Sequence, residues 1–275
     1  MTLELKPVLV IARKEFWDRV RSRWVLAVAV IFTAFALVIA YFGTATEGAV
    51  GFRGMDVTIA SLVSLAIYLV PLISLLLGFD TVIGERERGS LDLLLSMPIT
   101  RLELLLGKYL GLAAALAFST IAGFGLVGIL ISYGVGAGAL LRYGMFMLTT
   151  LGMGFAFLSL AVLVSVWAPN KVIASGAAVV LWFFYVLVFD LLLMGILVAT
   201  QGRYVGDVFP ILLLLNPADI YRILNVFGMQ DLRALYGLAT VMPEGLASPG
   251  WMGLAMTFWI AAPLAAAYFR LRSNP

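Results

Sequence analysis

The sequence predicts an all-α polytopic membrane protein with six transmembrane helices. Three observations carry this. First, 63 % of the residues are hydrophobic, far above the roughly 45–50 % of soluble domains. Second, six apolar runs are each long enough, at about 19 residues or more, to cross a hydrocarbon core of about 30 Å. Third, only 12 % of the residues are charged, and most of these lie between or beside those runs.

Residues 1–23 form an interfacial helix. Pro7 suits a first helical turn. Val8, Ala12, Phe16 and Val20 make an apolar stripe, widened by Leu9 and Trp17, with Arg13, Lys14, Asp18 and Arg21 opposite. Trp17 and Trp24 suit headgroup depth. The apolar stretch that follows is longer than a signal-peptide core, and no small-x-small cleavage site follows it, so an uncleaved first span is expected.

That span is 24–42. The others are 57–79, 109–133, 143–167, 172–200 and 251–269. A short polar loop (43–56), a Gly-rich link at Gly134, Gly136 and Gly138, and the turn 168–171 connect some of them. Residues 201–250 are a long segment. Its run Val208 to Leu215 is too short to span. Asn216-Pro217-Ala218-Asp219 is a helix start: an Asn cap, Pro first, an acid in the first turn. An amphipathic pattern through Leu224, Phe227, Leu232, Leu235 and Leu238 predicts short helices at the outer leaflet. They could form a platform for a partner or a plug that seals the bundle.

Lys and Arg set the orientation. Six fall in residues 1–23; Arg86, Arg88, Arg101, Lys108, Lys171, Arg270 and Arg272 join them on the same side. Arg53, Arg142, Arg203, Arg222 and Arg233 make five on the other. Both termini and the segment 80–108 are therefore expected in the cytoplasm.

The segment 80–108 is the long charged stretch between two spans. Gly84 and Gly89 bracket Glu85-Arg86-Glu87-Arg88. Ser90 can cap a helix that Pro98 must stop. Leu91, Leu94 and Leu95 fall on one face, and Asp92 and Ser96 point elsewhere. Thr100 and Glu103 are spaced as a capping box that starts the next span. Local pattern alone allows a docking element or a solvated loop folded onto the bilayer.

Composition also excludes chemistry. There is no Cys and no His, so zinc sites of the usual kind, a His base and a Cys nucleophile are absent. Leu106-Gly107-Lys108-Tyr109 is no phosphate loop, because Leu102 and Tyr109 stand where Gly and Ser/Thr are required. ATP and Mg must then be bound by another chain if they drive this one. The net charge of +3 sits at membrane edges, which is no nucleic-acid signature. Asp190 is the ionisable residue inside a span; it could serve a stand-alone secondary transporter or channel, or reach the interface. No inverted repeat supports the transporter. An intramembrane enzyme would lack a nucleophile–base pair. Of eleven Met, Met145 and Met147 are the pair that suits Cu(I), although gap filling is the commoner role. Gly107-x-x-x-Gly111, Gly123 and Gly125 permit close helix approach.

ERERGSLDLLLSMPITRLELLLGK (85–108), the six-span layout, and Leu215-Asn-Pro-Ala-Asp-Ile-Tyr-Arg222 resemble membrane subunits of ABC transporters of the ABC-2 permease type. The resemblance covers the chain and implies a homodimer in the bacterial inner membrane. It implies that a coupling helix near Glu85 to Arg101 inserts into a separate ATPase subunit. Leu91, Leu94 and Leu95 would make apolar contact there, and Glu85, Arg86, Glu87, Arg88 and Arg101 polar contact. The same two motifs are similar to those of permeases that serve nitrous oxide reductase maturation. That implies a periplasmic copper-binding β-helical protein as a second partner, with Asp219, Arg222, Asp231 and Arg233 as candidate contacts. With no Cys or His, the chain is poorly equipped to carry copper itself, so a mechanical role is expected.

Overall fold

A computed structural model describes residues 4–42, 55–135, 137–201, 209–226 and 248–273. Every regular element among them is helical: α1 (Leu5–Arg21), α2 (Trp24–Phe42), α3 (Met55–Gly78), α4 (Ile83–Glu87), α5 (Ser90–Ser96), α6 (Arg101–Val135), α7 (Ala137–Trp167), α8 (Lys171–Phe183), α9 (Phe189–Ala199), α10 (Phe209–Leu213), α11 (Pro217–Val226) and α12 (Pro249–Ser273). A π-helical turn, Phe184–Val188, joins α8 to α9. Residues 43–54 and 227–247, with Asp231 and Arg233, lie outside the described residues.

Five stretches are each long and apolar enough to cross a membrane: Thr58–Glu87, Arg101–Ile129, Leu141–Trp167, Lys171–Ala199 and Pro249–Ser273. α1 and α2 pass the same test only together, with a bend of 64° between them. Arg23 makes that bend in the left-handed region, at φ 59°, a conformation disfavoured for a side chain with a Cβ. The Ser22 and Arg23 amides still find acceptors, at Asp18 O and Val20 O.

α6 and α7 pack side by side at the centre. α1 and α2 lie against α6, and α3 and α12 against α7. Phe32, Phe124 and Phe146 are fully buried where α2, α6 and α7 meet. The rings of Phe32 and Phe124 stack at 4.7 Å. The expected close approach at Gly107 and Gly111 is present, and the neighbour is α1. A Cβ on Gly111 would lie 2.5 Å from Ala12 O and 2.6 Å from Glu15 Cβ. Gly123 gives α2 the same proximity, since a Cβ there would lie 2.5 Å from Phe32 Cβ. Gly111→Leu is therefore expected to push α1 off α6, at a cost of about 1–3 kcal/mol. Tryptic cleavage after Arg19 and Arg21 in liposomes should accelerate; wild-type cleavage rates would contradict this packing.

α8 and α9 lie at the periphery. Only 11 % of that span is buried within the chain, against 56–61 % for the spans built on α3, α6 and α7. α11 is not laid on the surface. Asn216 through Tyr221 are all buried, and the helix packs against α7, α3 and α12. Of the two readings of the long segment, this part fits the plug.

Candidate functional site

Residues 80–108 leave α3, turn twice and enter α6. The start of α4 has no cap of its own. Ser165, on α7, supplies one from 83 residues away: its Oγ accepts from the Val82 amide at 2.9 Å and the Ile83 amide at 3.1 Å. Gly89 then turns the chain with φ 69°, where a residue without a Cβ carries no penalty. Ser90 is the first residue of α5 and not its cap, since its hydroxyl donates back to Glu85 O. α5 ends at Ser96, just before Pro98. The capping box forms in both directions. The Thr100 amide donates to Glu103 Oε2 at 2.7 Å, and the Glu103 amide to Thr100 Oγ1 at 3.2 Å.

This segment is fixed to the bundle by charge. Lys108 Nζ is buried and donates to Glu15 Oε1 and to Glu85 Oε1, both at 2.7 Å. One ammonium thus ties α1 and α4 to α6. Lys171 reaches Asp80 Oδ2 at 2.9 Å, and its amide donates to Glu87 Oε1 at 2.7 Å. The Arg86 guanidinium approaches Val166 O and Ala168 O. Arg101 Nη1 donates to Leu271 O at 2.8 Å and Arg272 O at 2.9 Å, closing the last turn of α12.

These bonds redistribute the expected contact residues. Glu85 faces inward to Lys108 and is only 6 % exposed, so the outward polar rim expected of it is not where the structure puts its carboxylate. The Leu91, Leu94, Leu95 face also turns to the bundle: Leu91 is buried, and Leu94 and Leu95 pack against the core. The apolar groups presented outward here are Leu93 on α5 (68 % exposed) and Met97, the residue that ends it (53 %). Arg86, Glu87, Arg88 and Asp92 are exposed beside them. A cavity of about 490 Å³ lies behind, where Arg86, Leu91, Asp92 and Leu95 face Trp167 and Arg270. The outward pair was hidden from periodicity, because Leu93 and Met97 recur at i and i+4 as plainly as the face that turned inward.

A second charged cluster sits where α11 enters the bundle. Asn216 Oδ1 accepts from the Ala218 amide at 3.0 Å. Its Nδ2 donates to Asp219 Oδ2 and to Tyr185 O, both at 2.9 Å. Arg222 binds Asp219 Oδ1 through Nη1 and Asp190 Oδ2 through Nη2, the latter at 2.9 Å. Asp190 therefore has a partner that sequence spacing did not reveal. Burial pushes the Asp219 carboxyl up to about 7, against the pull of Arg222. Asp219 and Arg222 are engaged with each other within the chain. Met145 is exposed and Met147 half-buried on α7. Two residues apart on a helix, their thioethers point away from each other. Among the described residues no group of three or more Asp or Glu could hold a metal ion.

Residues 9–274 match the family model described as ABC-2 family transporter protein. The chain is 44 % identical over 272 residues to a probable ABC transporter permease protein NosY of Pseudomonas aeruginosa, covering 98 % of each. It is 40 % identical over 268 residues to a probable ABC transporter permease protein NosY of Stutzerimonas stutzeri, covering 95 % of this chain and 97 % of that one.

Proposed function

This chain belongs to the ABC-2 family of transporter proteins, and we propose that it couples ATP hydrolysis on a separate, NosF-like ATPase to an event across the membrane. That event is copper supply for nitrous oxide reductase assembly, through a NosD-like periplasmic copper-binding β-helical protein. The chain works as a homodimer in the bacterial inner membrane with both termini in the cytoplasm. ATP and Mg reside on the ATPase.

The observation that carries this reading is α5. It offers Leu93 and Met97 outward on a segment tied to α1, α6, α7, α8 and α12 by the bonds of Lys108, Ser165, Lys171 and Arg101. A push on α5 is thereby delivered to five helices. The chain itself lacks a phosphate loop, which is why the nucleotide is assigned to another subunit.

Replacing both Leu93 and Met97 with Asp is expected to cut recovery of the ATPase subunit at least tenfold on co-purification from the native operon, about 1.4 kcal/mol of binding. Membrane insertion and melting should stay unchanged, because both side chains are exposed. Full recovery would remove α5 as the docking element. Identifying the other retained subunits by mass tests the copper assignment in the same preparation.

The alternative is a stand-alone secondary transporter that uses Asp190. The Arg222 guanidinium already faces both Asp190 oxygens, which disfavours Asp190 as a free coupling acid. Transport by the isolated chain in vesicles, abolished by Asp190→Asn, would restore that reading.

A further inference from the structure

The cavity of about 490 Å³ behind α5 lies within the size range of sites that hold small molecules, about 300–1,000 Å³. Three membrane-crossing stretches finish on it: Thr58–Glu87 with Arg86, Leu141–Trp167 with Val166 and Trp167, and Pro249–Ser273 with Arg270 and Leu271. It therefore sits where spans leave the hydrocarbon, and Trp167, 62 % exposed, is an aromatic suited to that depth. The lining has a charged part and an apolar part. Arg86 is exposed and Arg270 half-buried. Among the described residues neither guanidinium forms an ion pair, and none joins either of them to Asp92, the acid in the lining. Arg86 donates to the neutral carbonyls of Val166 and Ala168, at 3.4 Å. Arg270 lies over the Trp167 ring, 5.5 Å from its centroid. Both contacts position a cation without neutralising it. Leu95, Trp167 and Pro169 supply the apolar part.

We propose that this cavity holds the headgroup of an anionic glycerophospholipid, its phosphodiester between Arg86 and Arg270 and its glycerol hydroxyls toward Asp92. Two guanidinium groups and one carboxylate leave the lining one positive charge, which a singly anionic headgroup cancels and a zwitterionic one does not. Hydroxyls bring donors to Asp92. A soluble phosphate would answer the charge but leave Leu95, Trp167 and Pro169 uncovered, whereas a lipid covers them with its glycerol backbone and the start of its chains. Basic pockets between the ends of membrane helices are suited to such headgroups. Leu91 and Leu95 face the cavity, and Leu93 and Met97 point the other way. The lipid and a subunit docked on Leu93 and Met97 therefore take opposite sides of α5.

The test uses the full chain, purified in detergent and examined by native mass spectrometry. Dioleoyl lipids with glycerol, ethanolamine and choline headgroups are added in turn, and then free glycerol phosphate. The glycerol lipid should be retained at least tenfold better than either zwitterionic lipid. Arg86→Gln with Arg270→Gln should cut its retention about tenfold. Arg13→Gln with Arg21→Gln, which removes two exposed charges from α1, should leave it unchanged. Equal retention of the three lipids would overturn the proposal, and so would an equal loss from the α1 pair, which would mean a diffuse cationic surface. Displacement by free glycerol phosphate at equal concentration would assign the cavity to a soluble anion. Loss of the lipid from the chain when it is purified with its ATPase subunit would assign the two arginines to an acid of that subunit. If the double variant does not fold, Arg270→Gln alone replaces it, since among the described residues that guanidinium makes no hydrogen bond. It should cut retention at least threefold, and wild-type retention would overturn the site.

Discussion

Lys108→Met is expected to destabilise the chain by about 3–5 kcal/mol, the usual consequence of breaking a buried ion pair by removing one partner. Methionine replaces the aliphatic stem at similar volume and removes the ammonium. Glu15 and Glu85, whose side chains are 9 % and 7 % exposed, would then face each other without an ammonium. Lys14, 3.7 Å from Glu15 Oε1 and itself mostly exposed, relieves only one of them. The midpoint of tryptophan-monitored unfolding in detergent should fall by on the order of 10 °C. Neutralising the acids in the same chain, with Glu15→Gln and Glu85→Gln, should restore most of the loss. Such recovery is the mark of a coupled group and not of three independent sites. A single variant that melts like the parent would show that the triad contributes nothing.

The second large effect is expected at the α11 cluster. Arg222→Met leaves Asp219, 1 % exposed, beside Asn216 and a second acid, Asp190. Its carboxyl is already pushed up to about 7 with the guanidinium beside it, so losing that charge leaves a strongly disfavoured buried acid. A loss of about 3–5 kcal/mol follows. Adding Asp219→Asn should recover the larger part of it, because an amide needs no counter-charge. Asp190→Asn alone should cost less, since the Asp190 side chain is less buried within the chain, 31 % exposed against 1 % for Asp219. Equal losses for Asp190→Asn and Arg222→Met would mean that Asp190, and not Asp219, is the acid this arginine serves.

The features legible in the sequence were those written within a few residues. Thr100 and Glu103 announce their capping box, because both partners lie in one turn. Asn216-Pro217 announces the start of α11 for the same reason. Gly107 and Gly111 announce a close approach, but nothing near them says that α1 is the neighbour. Glu15 and Lys108 are 93 residues apart and Lys108 and Glu85 are 23 apart, so the triad exists only after the helices have packed. One signal was present: Val8, Ile11, Ala12 and Glu15 follow i, i+3, i+4, i+7, which puts an acid on an otherwise apolar face. Such an acid asks for a buried cation. At α5 the pattern correctly grouped Leu91, Leu94 and Leu95, but a periodic face does not say whether it meets its own bundle or another chain. Ser90 looked like a cap because of its residue type. Gly89, in the left-handed region, takes the N-cap position of α5 instead.

The π-helical turn at Phe184–Val188 fixes the rotational phase of everything after it. A π turn accommodates one residue more than an α turn, and each α-helical residue advances about 100° around the axis. Closing that turn back to α geometry would rotate α9 by roughly that angle and swing Asp190 away from Arg222. The same turn contains Tyr185, whose carbonyl accepts from Asn216 Nδ2, so α11 is seated on the irregularity that aims Asp190 at it. The wide turn is thus an indexing device. It sets where around its own circumference the most exposed span offers its lone acid, and it is held in that setting by the helix the acid serves.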